Sequence, residues 1–193
     1  MMNLFETAVS ERRVFRGELL DVREDKVRLP NGKITRREYV VHPGAALIVP
    51  LVQAGAQRAT LILERQFRYP LRREIIEFPA GKIDALESSL HGAQRELREE
   101  TGYTAKRWAF VGSLFPCVGY SNEKIDIWFA RDLTGGAQQP DADEFVECFE
   151  IDSEAFFAAC RNGEVLDSKS LTAAFWLQQM FSGRWQPQWR TVE

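Results

Sequence analysis

Apolar and polar residues alternate in short runs along the first part of the chain, and proline and glycine bound these runs, which is typical of β-strands. Strands are predicted between Arg13 and Val41 around the turn Pro30-Asn31-Gly32, because Asn-Gly is a strong hairpin signal. Further strands are predicted at Ala45–Leu51, Ala59–Gln66 and Glu74–Phe78. The chain up to about residue 80 is therefore predicted to be rich in β-structure.

The hydrophobic period changes after Gly81. Apolar residues recur there at helical spacing, with charged residues on the other faces, at Leu90, Ala93 and Leu97. This pattern predicts an amphipathic helix over Leu86–Thr101 that Gly102 ends as its C-terminal cap.

The rest of the chain mixes strands and helices. Strands are predicted at Ala109–Phe115, Lys124–Ala130 and Phe145–Ile151. Candidate N-caps of two closing helices lie at Asp152-Ser153 and Asp167-Ser168. Because strands outnumber helices and their order is mixed, we predict an α+β fold with a mixed sheet flanked by helices.

Composition narrows the function mainly by exclusion. The 193 residues include 25 basic and 28 acidic side chains, so the net charge is −3 and neither a nucleic acid nor an anionic membrane is an expected partner. We also see no membrane span and no secretory signal. Three cysteines at wide spacings indicate reduced, buried thiols, and we expect a cytoplasmic protein.

A cluster of carboxylates lies in the predicted amphipathic helix. Glu96 lies three residues before Glu99 and four before Glu100, which is adjacent to Glu99. The three carboxylates therefore lie on roughly one side of the helix, beside Arg95. Oxygen ligands in such a cluster suit Mg²⁺ or Mn²⁺. Taken alone, however, these residues are more typical of a solvated helix face.

The wider spacing favours the metal site. The window 81–103 fits the pattern G-x5-E-x7-R-E-apolar-x-E-E-x-G-apolar at every position. Seven of these positions have a fixed residue type, and such a match is expected by chance in about one window in 10⁸. The window resembles the Nudix box of the Nudix hydrolase superfamily.

The flanking sequence is similar to the ADP-ribose pyrophosphatase branch of that superfamily. The similarity covers roughly residues 13 to 182, and its most specific segments are Arg65–Tyr69, Glu77–Asp84 and Asn162–Asp167. It implies a Nudix-like α/β/α sandwich with a mixed sheet in residues 43–193, including the C-terminal helices. It also implies an N-terminal antiparallel β region in residues 1–42, through which two subunits form a homodimer, and it leaves open whether the partner completes the substrate pocket.

The resemblance implies Mg²⁺-dependent hydrolysis of a nucleoside diphosphate sugar, ADP-ribose giving AMP and ribose 5-phosphate, with Mn²⁺ as a substitute ion. The implied metal ligands are the carbonyl of Ala80 and the carboxylates of Glu96, Glu99 and Glu100. The residues implied to orient these ligands are Gly81, Glu87 and Arg95.

The implied substrate contacts come from Arg65, Arg68 and Glu77, for which surface ion pairs are the alternative. The general base is assigned to Glu144, with Asp143 in reserve and Glu99 or Glu100 as alternatives within the box.

Two positions depart from the branch. Val118 replaces a proline, and Ala142 replaces a glutamate that often serves as general base. GDP-mannose or another nucleoside diphosphate sugar therefore stays open as the substrate, as does a module that binds ADP-ribose without cleaving it.

Overall fold

The computed structural model of the protein describes residues 2–55, 57–139 and 144–192. The chain divides into two compact units, a smaller one of Met1–Pro43 with Phe115–Lys124 and a larger one of Gly44–Leu114 with Ile125–Glu193. The smaller unit thus combines two stretches that are far apart in sequence. They are joined by a hydrogen bond from the Val40 N–H to the Tyr120 carbonyl oxygen at 2.8 Å.

The smaller unit is an antiparallel sheet of three strands in the order β1-β2-β3. Their bounds are Thr7–Arg16 for β1, Asp21–Arg28 for β2 and Ile34–Val41 for β3. The predicted turn at Pro30-Asn31-Gly32 is confirmed, but it is longer than two residues because Arg28 pairs with Ile34. The first strand also begins earlier than the sequence pattern indicates.

Strand β1 buries little of its surface, since every one of its residues is exposed. Among the described residues of the smaller unit, Val27 is the single buried apolar side chain. Ion pairs instead connect the strands, for example Arg13 to Asp21 and Arg12 to Glu24, both at 3.0 Å. The smaller unit therefore has almost no hydrophobic core of its own.

The larger unit contains a sheet in the order β10-β5-β4-β9-β8-β11, with β6 beside β5 and β7 beside β4. The strand bounds are Ala45–Ala54 (β4), Ala59–Arg68 (β5), Arg73–Glu77 (β6), Ala80–Lys82 (β7), Thr104–Leu114 (β8), Ile125–Thr134 (β9), Val146–Asp152 (β10) and Arg190–Thr191 (β11). Strand β4 runs parallel to β9 and antiparallel to β5 and β7, so the sheet is mixed, as predicted.

Among the described residues, three helices cover this sheet on both faces: α1 (Ser89–Thr101), α2 (Ser153–Arg161) and α3 (Ser168–Phe181). Successive residues of β4 point to opposite faces. Ala46 and Ile48 pack in the cluster that contains Leu97 of α1, whereas Leu47 and Val49 pack in the cluster that contains residues of α2 and α3. The layers are therefore helix, sheet, helix, which confirms the predicted α/β/α sandwich.

Helix α1 ends at Gly102, as predicted, in the left-handed conformation with φ of +74°. The predicted start at Leu86 is wrong. Leu86 is exposed with φ of +70°, and the helix begins at Ser89 because the Ser88 hydroxyl caps it by accepting a hydrogen bond from the His91 N–H at 3.2 Å.

The predicted N-caps of the closing helices are confirmed. The Asp152 carboxylate accepts a hydrogen bond from the Glu154 N–H, and that of Asp167 accepts one from the Ser170 N–H, each at 2.9 Å. Strands β7 and β11 and a 3₁₀ turn at Tyr69–Leu71 have no counterpart in the sequence prediction. Of the helices that the structure describes, none is both long and apolar enough to span a lipid bilayer.

Candidate active site

The acidic residues of α1 lie against the backbone of β7. The Ala80 N–H donates to Glu100 Oε2 at 3.0 Å, and the Glu100 side chain is almost completely buried. A Cβ atom at Gly81 would lie 2.0 Å from the carboxyl carbon of Glu96. Glycine is therefore required at position 81 for Glu96 to approach the strand this closely.

Arg95 holds the other carboxylates of the box. Its Nη1 donates to Glu96 Oε1 at 2.7 Å and to Glu99 Oε2 at 3.1 Å. Its Nη2 donates to Glu87 Oε2 at 3.1 Å and to the Lys82 carbonyl oxygen at 2.8 Å. The hydrogen bond from Arg95 lowers the pKa of Glu87. One guanidinium thus fixes the carboxylates that the sequence places around it.

The surroundings of Glu96 and Glu100 disfavour the ionised form of their carboxyl groups. Burial raises the pKa of Glu96 despite its hydrogen bond from Arg95. Burial also raises the pKa of Glu100, and the neighbouring carboxylates of Glu64, Glu96 and Glu144 raise it further. Carboxylates whose protonation is favoured in this way gain most from a cation placed among them.

Arg68 and Glu77 are in direct contact. Arg68 Nε donates to Glu77 Oε1 at 2.7 Å, and Lys169 Nζ is bonded to the other oxygen of Glu77. Lys169 also pairs with Asp167 Oδ1 at 3.1 Å. Sequence reasoning missed Lys169, although a lysine in the first turn of a helix, where a positive charge is unfavourable, is a signal that could have indicated a special role.

Arg65 does not lie with Arg68. The two residues are three apart on β5, so their side chains point to opposite faces of the sheet. Arg65 pairs with Glu147 at 3.1 Å and lines a groove of about 460 Å³ together with Glu144 and Phe145. The structure therefore places the two predicted substrate contacts on opposite faces of the sheet.

Glu64 is a buried acid that sequence reasoning did not select. It lies on β5, where it pairs with Glu77 of β6 and with Cys148 of β10. Its position within the apolar run of β5 gives no sequence signal that separates it from an exposed strand residue. Burial, followed by the charge of Glu77, raises the pKa of Glu64 to about 8.

Cys148 connects this part of the sheet to α1. Its Sγ donates to the carbonyl oxygen of Glu100 at 3.3 Å. Burial raises the pKa of the Cys148 thiol to about 12, so the thiol remains protonated at neutral pH. All three cysteines have free thiols, as predicted, but they are half-buried where the sequence predicted burial.

The loop after β9 is bonded to the last turn of α1. The Gln139 N–H donates to the carbonyl oxygen of Glu99 at 2.8 Å, and the Gln138 side-chain amide donates to that of Glu100. Two residues of this loop lie outside the described residues. They are Asp143, the predicted reserve base, and Ala142, one of the departures from the branch. Glu144 is described and is half-buried.

The residues present fit a divalent cation. The donors that converge on β7 are carboxylate oxygens, the ligand type that Mg²⁺ and Mn²⁺ prefer, and Gly81 leaves the space that Glu96 occupies. Within the parts of the chain that the structure describes, no three acidic, histidine or cysteine side chains are already arranged to hold an ion. Arg95 forms ion pairs with Glu87, Glu96 and Glu99, whereas Glu100 accepts from the Ala80 N–H.

Comparison with known proteins agrees with this geometry. The model of the NUDIX domain matches residues 41–171, and that of the nucleoside diphosphate sugar hydrolase N-terminal domain matches residues 6–40.

Two curated relatives extend over almost the whole chain. An ADP-ribose pyrophosphatase of Bacillus subtilis is 36% identical over 180 residues, which are 92% of this chain and 95% of that protein. A methanol dehydrogenase activator of Bacillus methanolicus is 32% identical over 181 residues, 92% of this chain and 96% of that protein.

The fold also has a counterpart among solved structures. The crystal structure of an ADP compounds hydrolase matches with a TM-score of 0.79 at 22% identity, covering 93% of this chain and 95% of that one. The domain match, the long relatives and the box helix seated against β7 together show that the chain belongs to the Nudix hydrolases.

Proposed function

We propose that this Nudix hydrolase cleaves the diphosphate of a nucleoside diphosphate sugar, and that ADP-ribose, which yields AMP and ribose 5-phosphate, is its main substrate. The observation that supports the proposal most strongly is the buried carboxylate of Glu100, fixed by the Ala80 N–H beside Glu96. The Bacillus subtilis relative, an ADP-ribose pyrophosphatase by name, supports the choice of substrate.

We assign the cation site to Glu96, Glu99, Glu100 and the carbonyl of Ala80, and the cation to Mg²⁺ with Mn²⁺ as a substitute. A cation held there would supply neutralisation of the diphosphate charge and a more acidic water molecule. Arg95 and Glu87 orient the carboxylates through the hydrogen bonds described above.

Glu144 is our candidate for the general base, with Glu99 and Glu100 as alternatives. A base must reach the attacking water directly or through one further water. Two observations favour Glu144 for this role. Its charge acts on both Glu96 and Glu100, and its side chain lines the open groove beside Arg65. In this role its carboxylate takes up the proton that the water loses.

We assign Arg68 to the binding of a substrate phosphate group and Glu77 to the positioning of the Arg68 side chain. Within the described part of the chain, Arg68 uses Nε for Glu77, which leaves its two terminal nitrogens for a bidentate contact with phosphate oxygens. Arg65, on the other face of the strand, is assigned to the part of the substrate that lies in the groove.

We also propose a homodimer formed through the smaller unit. Strand β1 exposes Val9, Val14 and Phe15, and the unit has almost no core. A second copy of the chain would bury this apolar surface. The match of residues 6–40 to the N-terminal domain of nucleoside diphosphate sugar hydrolases supports a role of this unit beyond the catalytic domain.

The activity is tested by incubating the protein with Mg²⁺ and ADP-ribose, GDP-mannose or UDP-glucose in parallel, and by measuring kcat/KM for each. We expect turnover, highest for ADP-ribose, and a loss of at least about a hundredfold for Glu100→Gln, because a ligand of the cation is removed. Glu154→Gln, an exposed carboxylate on α2, is the matched control and should keep full activity.

The same assay separates the alternatives. A higher kcat/KM for GDP-mannose would move the assignment to that sugar nucleotide, in keeping with Val118 in place of the usual proline. Tight calorimetric binding of ADP-ribose without any product would identify a binding module instead. Lack of turnover on every diphosphate would refute the proposed activity.

A further inference from the structure

Glu64 is a buried carboxyl group without a hydrogen-bond partner in the part of the chain that the structure describes. Its side chain is 0% exposed, and neither carboxylate oxygen has a hydrogen-bond partner among the described residues. A carboxylate in this state costs several kcal/mol if it is ionised, so buried charges are normally paired or bound to metals.

Arg68 and Lys169 act on Glu64 through their charges, which lower its pKa, but within the described chain neither donates a hydrogen bond to it. Both oxygens of Glu77 are already bonded, one to Arg68 and one to Lys169. On the other side, the thiol of Cys148 donates to the carbonyl oxygen of Glu100. The described residues around Glu64 therefore leave both of its oxygens free to bind a cation.

The register of the sheet directs Glu64 toward α1. Residues paired across neighbouring strands point to the same face, so Glu64 and Cys148 share a face. Cys148 contacts Glu100 on that face, and the charge of Glu64 raises the pKa of Glu100. Glu64 and Glu100 thus border the same space from the sheet side and from the helix side.

We propose that Glu64 is a further carboxylate ligand of the divalent-cation site, facing Glu100 from β5. This inference rests on the proposed function, since it requires that the site binds a divalent cation. An ion between the two carboxylates would satisfy the oxygens of Glu64 that have no partner and offset the repulsion between two buried acids. Glu64 then belongs to the cation site although it lies 17 residues before Gly81 and outside the box.

The test measures binding of Mn²⁺ alone, without substrate. Free Mn²⁺ is quantified by electron paramagnetic resonance, and thermal unfolding is followed in EDTA and in Mn²⁺, for the wild type and Glu64→Gln. Glu150→Gln is the matched control, because Glu150 is an exposed carboxylate two residues from Cys148 on the same face of β10.

We expect Glu64→Gln to weaken Mn²⁺ binding at least about tenfold. It should also raise the melting temperature in EDTA, because an unpaired buried carboxyl group is replaced by a neutral amide, and it should reduce the rise in melting temperature that Mn²⁺ produces. The control variant should match the wild type in all three measurements. If Glu64→Gln does not fold, Glu64→Met, which introduces no polar atom at that position, takes its place.

The outcomes distinguish two failures. Equal Mn²⁺ affinity of the wild type and Glu64→Gln would overturn this inference alone, and would mean that Glu64 stays protonated and apart from the ion. Absence of Mn²⁺ binding in the wild type would overturn both the inference and the metal dependence of the proposed function.

Discussion

Lys169 is a residue whose loss should affect the fold more than its distance from the box suggests. It is mostly buried and contacts both Glu77 and Asp167. We expect Lys169→Met to lower the free energy of unfolding by about 3 kcal/mol, because Glu77 keeps a single cation in a buried position. Urea denaturation measures this difference.

The matched control for Lys169 removes the charge of its partner as well. In the double variant Lys169→Met with Glu77→Gln, the buried carboxylate is gone, and most of the lost stability should return. If the two losses simply add, the contact between Lys169 and Glu77 contributes nothing to stability and our interpretation of this cluster is wrong.

Glu64 predicts an inverse dependence of stability on pH in metal-free buffer. Its pKa is about 8 in the folded protein, because of burial and the charge of Glu77, and 4.5 is the ordinary value expected for the unfolded chain. Between these values the folded state binds more protons than the unfolded state, so the free energy of unfolding should fall as the pH rises from about 4.5 to about 8.

Chemical denaturation in EDTA at several pH values tests this dependence. Glu64→Gln should show a shallower decrease than the wild type over this pH range. Parallel curves for the two proteins would show that Glu64 does not titrate as described.

At the residue scale, spacing made part of the site predictable. Glu96, Glu99 and Glu100 follow one another at helical intervals, so their common side could be read from the sequence. The structure places Glu96 and Glu99 on Arg95 and Glu100 on the Ala80 N–H. Glu64 and Lys169 could not be found in this way. Their roles depend on strand pairing and on a helix that comes about 90 residues after β6.

At the scale of elements, the close approach of α1 to β7 depends on the absence of a side chain at Gly81. We expect Gly81→Ala to displace the Glu96 carboxylate, which lies 2.0 Å from the position of the new Cβ atom, and to lower kcat/KM at least about tenfold. Gly112→Ala is the control, because its Cβ would have no neighbour closer than 3.8 Å.

Circular dichroism should show both glycine variants folded. Full activity of Gly81→Ala would mean that the close contact between Glu96 and β7 is not needed for catalysis.

The caps at Asp152 and Asp167 could be predicted because N-capping is a local interaction between a side chain and the backbone next to it. Gly102 could be predicted because the left-handed conformation that ends α1 favours glycine. The start of α1 was misplaced by three residues, since Leu86 continues the apolar pattern while Ser88 supplies the actual cap. Strand β7 has three residues, too few to show a period, and exists only through its pairing with β4.

At the scale of the whole molecule, the exposed strand β1 leads to a prediction about assembly. We expect light scattering to give about twice the mass of one chain, and Val14→Glu to shift the protein toward the monomer, because a charge is introduced into the apolar surface. Leu171→Glu, the same type of change at an exposed apolar residue of α3, should leave the mass unchanged. A monomeric wild type would refute the dimer.

The sequence could not show which segments of the chain make up the smaller unit. The N-terminal strands were predicted from alternation and the Asn-Gly turn, but residues 115–124 join them through long-range bonds such as that between His42 N–H and Asn122 Oδ1 at 2.7 Å. Alternation describes neighbours along the chain and holds no information on a segment more than 70 residues away.

The two bonds from the loop after β9 to the last turn of α1 bear on how the box carboxylates are held. The Gln138 side-chain amide and the Gln139 N–H donate to the carbonyl oxygens of Glu100 and Glu99, the same residues whose side chains we assign to the cation. The last carbonyl oxygens of a helix have no partner within the helix, so these two glutamines satisfy groups that would otherwise depend on water. The backbone that carries two of the box carboxylates is therefore fixed in part by residues more than 30 positions beyond the box.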